Sequence, residues 1–64
     1  MEQIIKELKQ RRQDAGVSLA ELARRMDTDR SRLSAIENGH GGLTLKRMLD
    51  WAEALGLKVT IKFE

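Results

Sequence analysis

Sixty-four residues with no cysteine and one histidine leave room for a single small domain, and they exclude disulfides, thiolate–zinc sites and a histidine cluster around a metal. Lys and Arg number 12 against 10 Asp and Glu, and the formal net charge of +2 on a chain 34% charged permits nucleic acid as a partner without resembling a polybasic tail. A core this small calls for regular helix packing or a partner subunit. No apolar leader core and no stretch of membrane-spanning length is present, so the chain is expected to be a complete cytoplasmic protein that stays clear of membranes.

Proline is absent, and glycines and capping residues supply the punctuation. Glu2–Ala15 reads as a first helix with a short apolar stripe (Ile4, Ile5, Leu8), stopped by Gly16. Ser18-Leu19-Ala20-Glu21 is a Ser-x-x-Glu capping box for a second helix that carries Leu22, Ala23 and Met26 on one face, with Val17 as a hydrophobic staple. Asp29 caps a third helix, Arg30–Asn38, whose inward residues are Leu33 and Ile36, and Gly39 ends it. Gly39-His40-Gly41-Gly42 forms a loop, and Thr44 caps a fourth helix, Leu45–Leu55, with Leu45, Met48, Leu49, Ala52 and Leu55 on one face. Trp51 lies beside that face, open to domain core, dimer contact or a protein-binding patch; we assign it to the dimer contact.

After Gly56 the period changes to two: Leu57, Val59, Ile61 and Phe63 alternate with Lys58, Thr60, Lys62 and Glu64. This is the pattern of a half-buried strand, and no second strand pattern occurs in the chain. A lone strand leaves a row of N–H and C=O groups unpaired, and the simplest partner is the same strand of a second copy, antiparallel about a two-fold axis. The competing reading is a frayed tail lying on the fourth helix. The expected fold is therefore mainly α, four helices over residues 1–56 followed by a dimerisation strand over 57–64 that pairs across a homodimer, with Leu57, Val59, Ile61, Phe63 and Trp51 at the interface.

The second and third helices, joined by a tight turn, have helix-turn-helix geometry. The gapless run Ala20-Glu21-Leu22-Ala23-Arg24-Arg25-Met26-Asp27-Thr28-Asp29-Arg30-Ser31-Arg32-Leu33-Ser34-Ala35-Ile36-Glu37-Asn38-Gly39 resembles the Cro/C1-type (XRE) helix-turn-helix of phage repressors. The resemblance extends back to Arg12 and forward through Thr44-Leu45 and Ala54-Leu55-Gly56. With a strand in place of the usual fifth helix, the chain is most similar to HipB-type antitoxins. Two positions depart from the family pattern. Leu19 stands where glutamine commonly contacts the DNA backbone, so that contact is lost or Leu19 packs elsewhere. Asp27 stands at a turn position where glycine is usual, which aspartate tolerates at some cost.

A recognition helix enters the major groove by its first turn, and Arg30, Ser31 and Ser34 share the face opposite Leu33 and Ile36. Arginine can take guanine O6 and N7 with its bidentate fork, so Arg30 is the foremost candidate reader; the bland reading of Arg30 and Arg32 is solvated helix charge. The resemblance places base readers at the same positions and adds Ala35 as a methyl or close-approach contact. Ser18 leaves free N–H groups at the start of the second helix, a ready phosphate site, and Arg32 is a further backbone candidate. Asn38, His40 and Lys46 surround the next loop, where the family also grips the backbone. Arg12 and Glu37 look like the family's internal ion pair between the first helix and the end of the third, and Arg12 could also reach a phosphate.

The function expected is a repressor that binds an inverted-repeat operator in double-stranded DNA as a homodimer, with its recognition helices about 34 Å apart. The HipB likeness adds neutralisation of a cognate toxin. The alternatives are a stand-alone phage-like regulator or restriction–modification controller, and a protein-interaction module on the same scaffold. No paired carboxylates, Cys/His nucleophile or phosphate loop is visible, so neither catalysis nor a cofactor is expected.

Overall fold

Caps and apolar periodicity divide the chain into four helices in the computed structural model, which describes residues 2–63: α1 (Glu2–Asp14), α2 (Leu19–Met26), α3 (Arg30–Glu37) and α4 (Leu45–Ala54). The three shorter helices each start on a side chain that accepts from the third residue inside. Ser18 Oγ takes the Glu21 N–H at 3.1 Å, Asp29 Oδ1 that of Arg32 at 3.3 Å, and Thr44 Oγ1 that of Arg47 at 3.1 Å. Such a cap satisfies one orphaned donor and is worth about 1 kcal/mol. α3 and α4 stop one residue short of their expected limits because Asn38 and Leu55 serve as caps, and α1 likewise stops at Asp14.

All four helices turn out of their last coil by the same backbone pairing. At α4 the Leu57 N–H donates to the Ala52 carbonyl at 2.9 Å and the Gly56 N–H to that of Glu53 at 3.0 Å. The pairing requires a left-handed residue, which is glycine after α1, α3 and α4 but Asp27 (φ 54, ψ 48) after α2. The turn thus forms with aspartate, at the cost of crowding its Cβ against the backbone.

α2 sits at the centre, packed against both α3 and α4, while α1 packs against α3. The core takes Leu8 from α1, Leu22 and Ala23 from α2, Leu33 and Ile36 from α3, and Trp51 and Ala52 from α4. Full burial of a leucine contributes roughly 1.5–3 kcal/mol, so Leu22 and Leu33 alone are a large part of so small a domain's stability.

Trp51 corrects the sequence reading. It is 1% exposed within one chain, the largest fully buried side chain, and so has almost no surface left for a dimer contact. Compared with the expected stripe, the inward face of α4 is rotated by about 50° toward Trp51, given about 100° per residue. That rotation leaves Leu45 and Leu49 exposed. Burying the indole removes more apolar area from water than the two leucine edges would. Its N–H finds no acceptor among the described residues.

Beyond Gly56 the chain forms no strand; among the described residues there is none. Leu57 is half-buried, and the segment borders an apolar groove with Ile4 and Leu8 of α1 and Met48 and Ala52 of α4. Val59 and Ile61 are partly exposed and Phe63 is 94% exposed. The physical reason is pairing: a strand is held by its neighbour's backbone, and a single chain supplies no neighbour here. Met1 and Glu64, included in the expected domain and strand, lie outside the described residues.

Candidate nucleic-acid interface

α3 buries Leu33 and Ile36 and presents the opposite side to solvent. At about 100° per residue, Ser31 occupies the middle of the outward face, Ser34 and Ala35 lie on either side of it, and Arg30 and Arg32 stand on opposite flanks. Arg30, Ser31 and Arg32 are exposed, and Ser34 and Ala35 partly so. The face has small side chains at its centre and a guanidinium on each edge, a form that lets a helix backbone approach base edges closely.

One flank opens onto a groove. Ser31, Arg32 and Ala35 line it together with Gly41, Gly42, Thr44 and Arg47 across the α3–α4 loop. Gly41 fits tightly there: a Cβ would lie 3.1 Å from Ile36 Cγ1, so this residue lets the loop press on the back of α3. Arg30 is on the other flank, outside the residues lining this groove.

α3 is anchored by Arg12 and Glu37. Arg12 Nε donates to Glu37 Oε2 at 2.8 Å, Nη2 to Oε1 at 3.0 Å, and Nη1 to the Val17 carbonyl at 2.8 Å. The side chains are 12% and 3% exposed, so this fork ties α1 and the α1–α2 turn to the end of α3 from inside the protein. With both ends engaged, Arg12 is a positioning residue.

Electrostatics separates the remaining arginines into two groups. Arg11 holds Glu7, and Arg24 and Arg25 both hold Glu21. Those hydrogen bonds, first from Arg24 and then from Arg25, pull the Glu21 carboxyl from its usual 4.5 down to about 2. Glu21 spends its carboxylate on them, so only the Ser18 half of the expected capping box is made. Arg25 also donates to the Ala54 carbonyl at 2.9 Å, tying α2 to the end of α4. Arg30, Arg32 and Arg47, by contrast, make no ion pair among the described residues.

The other candidate backbone contacts are dispersed around this face. Ser18 is exposed, its hydroxyl oxygen engaged with the Glu21 N–H. Asn38 Nδ2 donates to Ser34 Oγ at 3.4 Å, and His40 is exposed on the loop. Lys46 is held by Asp50 at 3.0 Å, both side chains substantially exposed, a pair that solvent weakens. Leu19 packs against the core, which settles where the residue replacing the usual glutamine goes. Arg47 is the residue that sequence reasoning missed. Its available signal was its place three residues after the Thr44 cap, in the first turn of α4.

No group of three metal-ligating side chains occurs among the described residues, and no helix is long and apolar enough to cross a membrane. Residues 8–61 match the helix-turn-helix family model, and the chain belongs to this Cro/C1-type (XRE) family of DNA-binding transcription regulators. Comparison with curated proteins and with solved structures finds no match.

Proposed function

Starting from that membership, we propose that this regulator is a repressor that occupies an inverted-repeat operator as a homodimer, with α3 as the reading helix. The observation that carries the proposal is the outward face of α3: Ser31, Ser34 and Ala35 between two arginines that make no ion pair among the described residues. Arg30 reads a base edge, Ser31, Ser34 and Ala35 permit close approach, and Ser18, Arg32, Asn38, His40 and Lys46 supply backbone contacts. Selection of bound duplexes from a randomised pool at about 0.15 M salt tests this, since screening at that concentration suppresses the non-specific term. An inverted repeat enriched by the native chain and lost with Arg30→Ala is the expected result; no enrichment, or enrichment indifferent to Arg30, would move the function to protein binding on the same scaffold.

Dimerisation through residues 57–64 is supported by the alternation of Leu57, Val59, Ile61 and Phe63 and by the exposure of the last three. In the dimer this segment pairs with its own copy, and two reading helices then face successive major grooves. The antitoxin role rests on the alternating segment after Gly56, the feature shared with HipB-type proteins. A stable complex with the product of a neighbouring gene would support that role, and operator binding with no such partner would leave a stand-alone regulator.

A further inference from the structure

We propose that Arg32 and Arg47 form a clamp for a single phosphodiester of the DNA backbone, at the groove between the first turns of α3 and α4. The proposal rests on the DNA-binding reading above and extends it to a residue outside the reading helix. The two arginines occupy equivalent places: each is the third residue after a side-chain cap, with its N–H donated to Asp29 or Thr44, and both line the same open groove. They come from different helices, so only the tertiary fold brings them together.

Neither guanidinium has an internal task. Arg47 is partly buried and makes no side-chain hydrogen bond or ion pair among the described residues, in contrast with Arg12 and Arg25, which hold both a carboxylate and a backbone carbonyl. Of the nearby acids, Asp29 lines the same groove but points its carboxylate at the Arg32 N–H and the Ser31 hydroxyl, Asp50 accepts from Lys46, and Asp27 borders the adjoining groove and not this one. Between the arginines the groove is bordered by Gly41 and Gly42, whose lack of side chains keeps it open. Two guanidiniums against the one carboxylate of Asp29 leave this opening with an excess positive charge that a bound anion would offset. The planar fork of each guanidinium suits phosphate oxygens. On a helix-turn-helix protein, the phosphate that meets this flank of α3 is one beside the bases that α3 reads.

The test is salt-dependent binding to the enriched duplex and to a scrambled one, for the native chain and Arg47→Gln. The variant keeps the backbone N–H that meets Thr44, so its urea midpoint, read by Trp51 fluorescence, should match the native value. We expect about tenfold weaker binding of both duplexes, the loss of one charge-assisted contact. The log–log salt slope should become shallower by about 0.9 per protomer, with the preferred sequence unchanged. A neutral methylphosphonate placed in turn along each half-site should weaken native binding at one position where it weakens Arg47→Gln, which keeps only the Arg32 contact, clearly less. An unchanged slope, a changed sequence preference or a destabilised variant would each overturn the clamp while native operator binding stands. Failure of the native chain to bind any duplex would overturn the DNA-binding reading and the clamp with it.

Discussion

Replacing Arg12 with alanine should nearly unfold the domain. The substitution removes two hydrogen bonds to Glu37 and one to the Val17 carbonyl, and leaves a carboxylate side chain only 3% exposed with its counter-charge gone. Removing one member of a buried pair costs about 3–5 kcal/mol, mostly as the penalty of the stranded charge. A domain of 64 residues is stable by only about 3–10 kcal/mol at 0.05–0.15 kcal/mol per residue, so the loss takes a third of the total at the least. Breaking the exposed Lys46–Asp50 pair, by comparison, should cost well under 1 kcal/mol.

Trp51 provides the assay. It is the sole tryptophan and 1% exposed, so its fluorescence reports the core directly during urea unfolding. With a slope of about 1 kcal/mol/M for a small domain, Arg12→Ala should move the midpoint down by about 3 M or leave no folded baseline. Arg12→Met combined with Glu37→Leu removes both charges and fills the space, and should recover much of the loss. A midpoint shift for Arg12→Ala no larger than that for Lys46→Ala would refute the reasoning. So would a double variant as unstable as the sum of its singles.

Asp27→Gly should stabilise the domain by about 0.5–1 kcal/mol, raising Tm by several degrees, because φ 54 costs glycine nothing and a negative charge leaves the end of α2; a lower Tm in calorimetry would contradict this. Glu21, held near a pKa of about 2 rather than 4.5, should still be ionised at pH 3 by NMR and titrate higher in Arg24→Ala. Its folded value is the depressed one, so its contribution to stability is full above pH 4.5 and is lost as pH falls toward 2; because the network is exposed, that contribution should be small and weakened by salt. Ile61→Lys should give a folded monomer in sedimentation, since this side chain is half-exposed in the single chain and belongs to the interface of the proposed dimer; an intact dimer would remove the C-terminal segment from the interface.

The helix boundaries were legible because their signals are local. Ser18, Asp29 and Thr44 each satisfy a donor three residues on, and Gly16, Gly39 and Gly56 each permit a left-handed exit, so a few consecutive residues settle each end. The facing of α4 was not local. Leu45 and Leu49 complete a good stripe on paper, but the position of Trp51 relative to α2 decides which side turns inward, and that depends on residues from other helices. Arg12 and Glu37 lie 25 residues apart, and nothing in their spacing links them; the family resemblance did. The expected strand shows the opposite limit. Its alternation is plain in sequence, yet a strand is a property of two segments, and one chain has only the first.

The same distinction between local and tertiary information explains why net charge says little about the interface. A balance of +2 would suggest a weak hold on a polyanion, but Arg11 is paired with Glu7, Arg12 with Glu37, and Arg24 and Arg25 share the single carboxylate of Glu21, so most of the charge on these four arginines is offset by their partners. Among the described residues the unpaired cations include Lys9, Lys58 and Lys62 elsewhere on the surface, but three arginines lie on the first turns of α3 and α4, Arg30 on one flank of α3 and Arg32 and Arg47 on the other. A local patch of this kind sets how many phosphates are contacted, and therefore how steeply affinity falls with salt. The salt slope should accordingly respond to substitutions at Arg32 and Arg47, and hardly at all to Arg24→Gln, although each removes one formal charge from the chain.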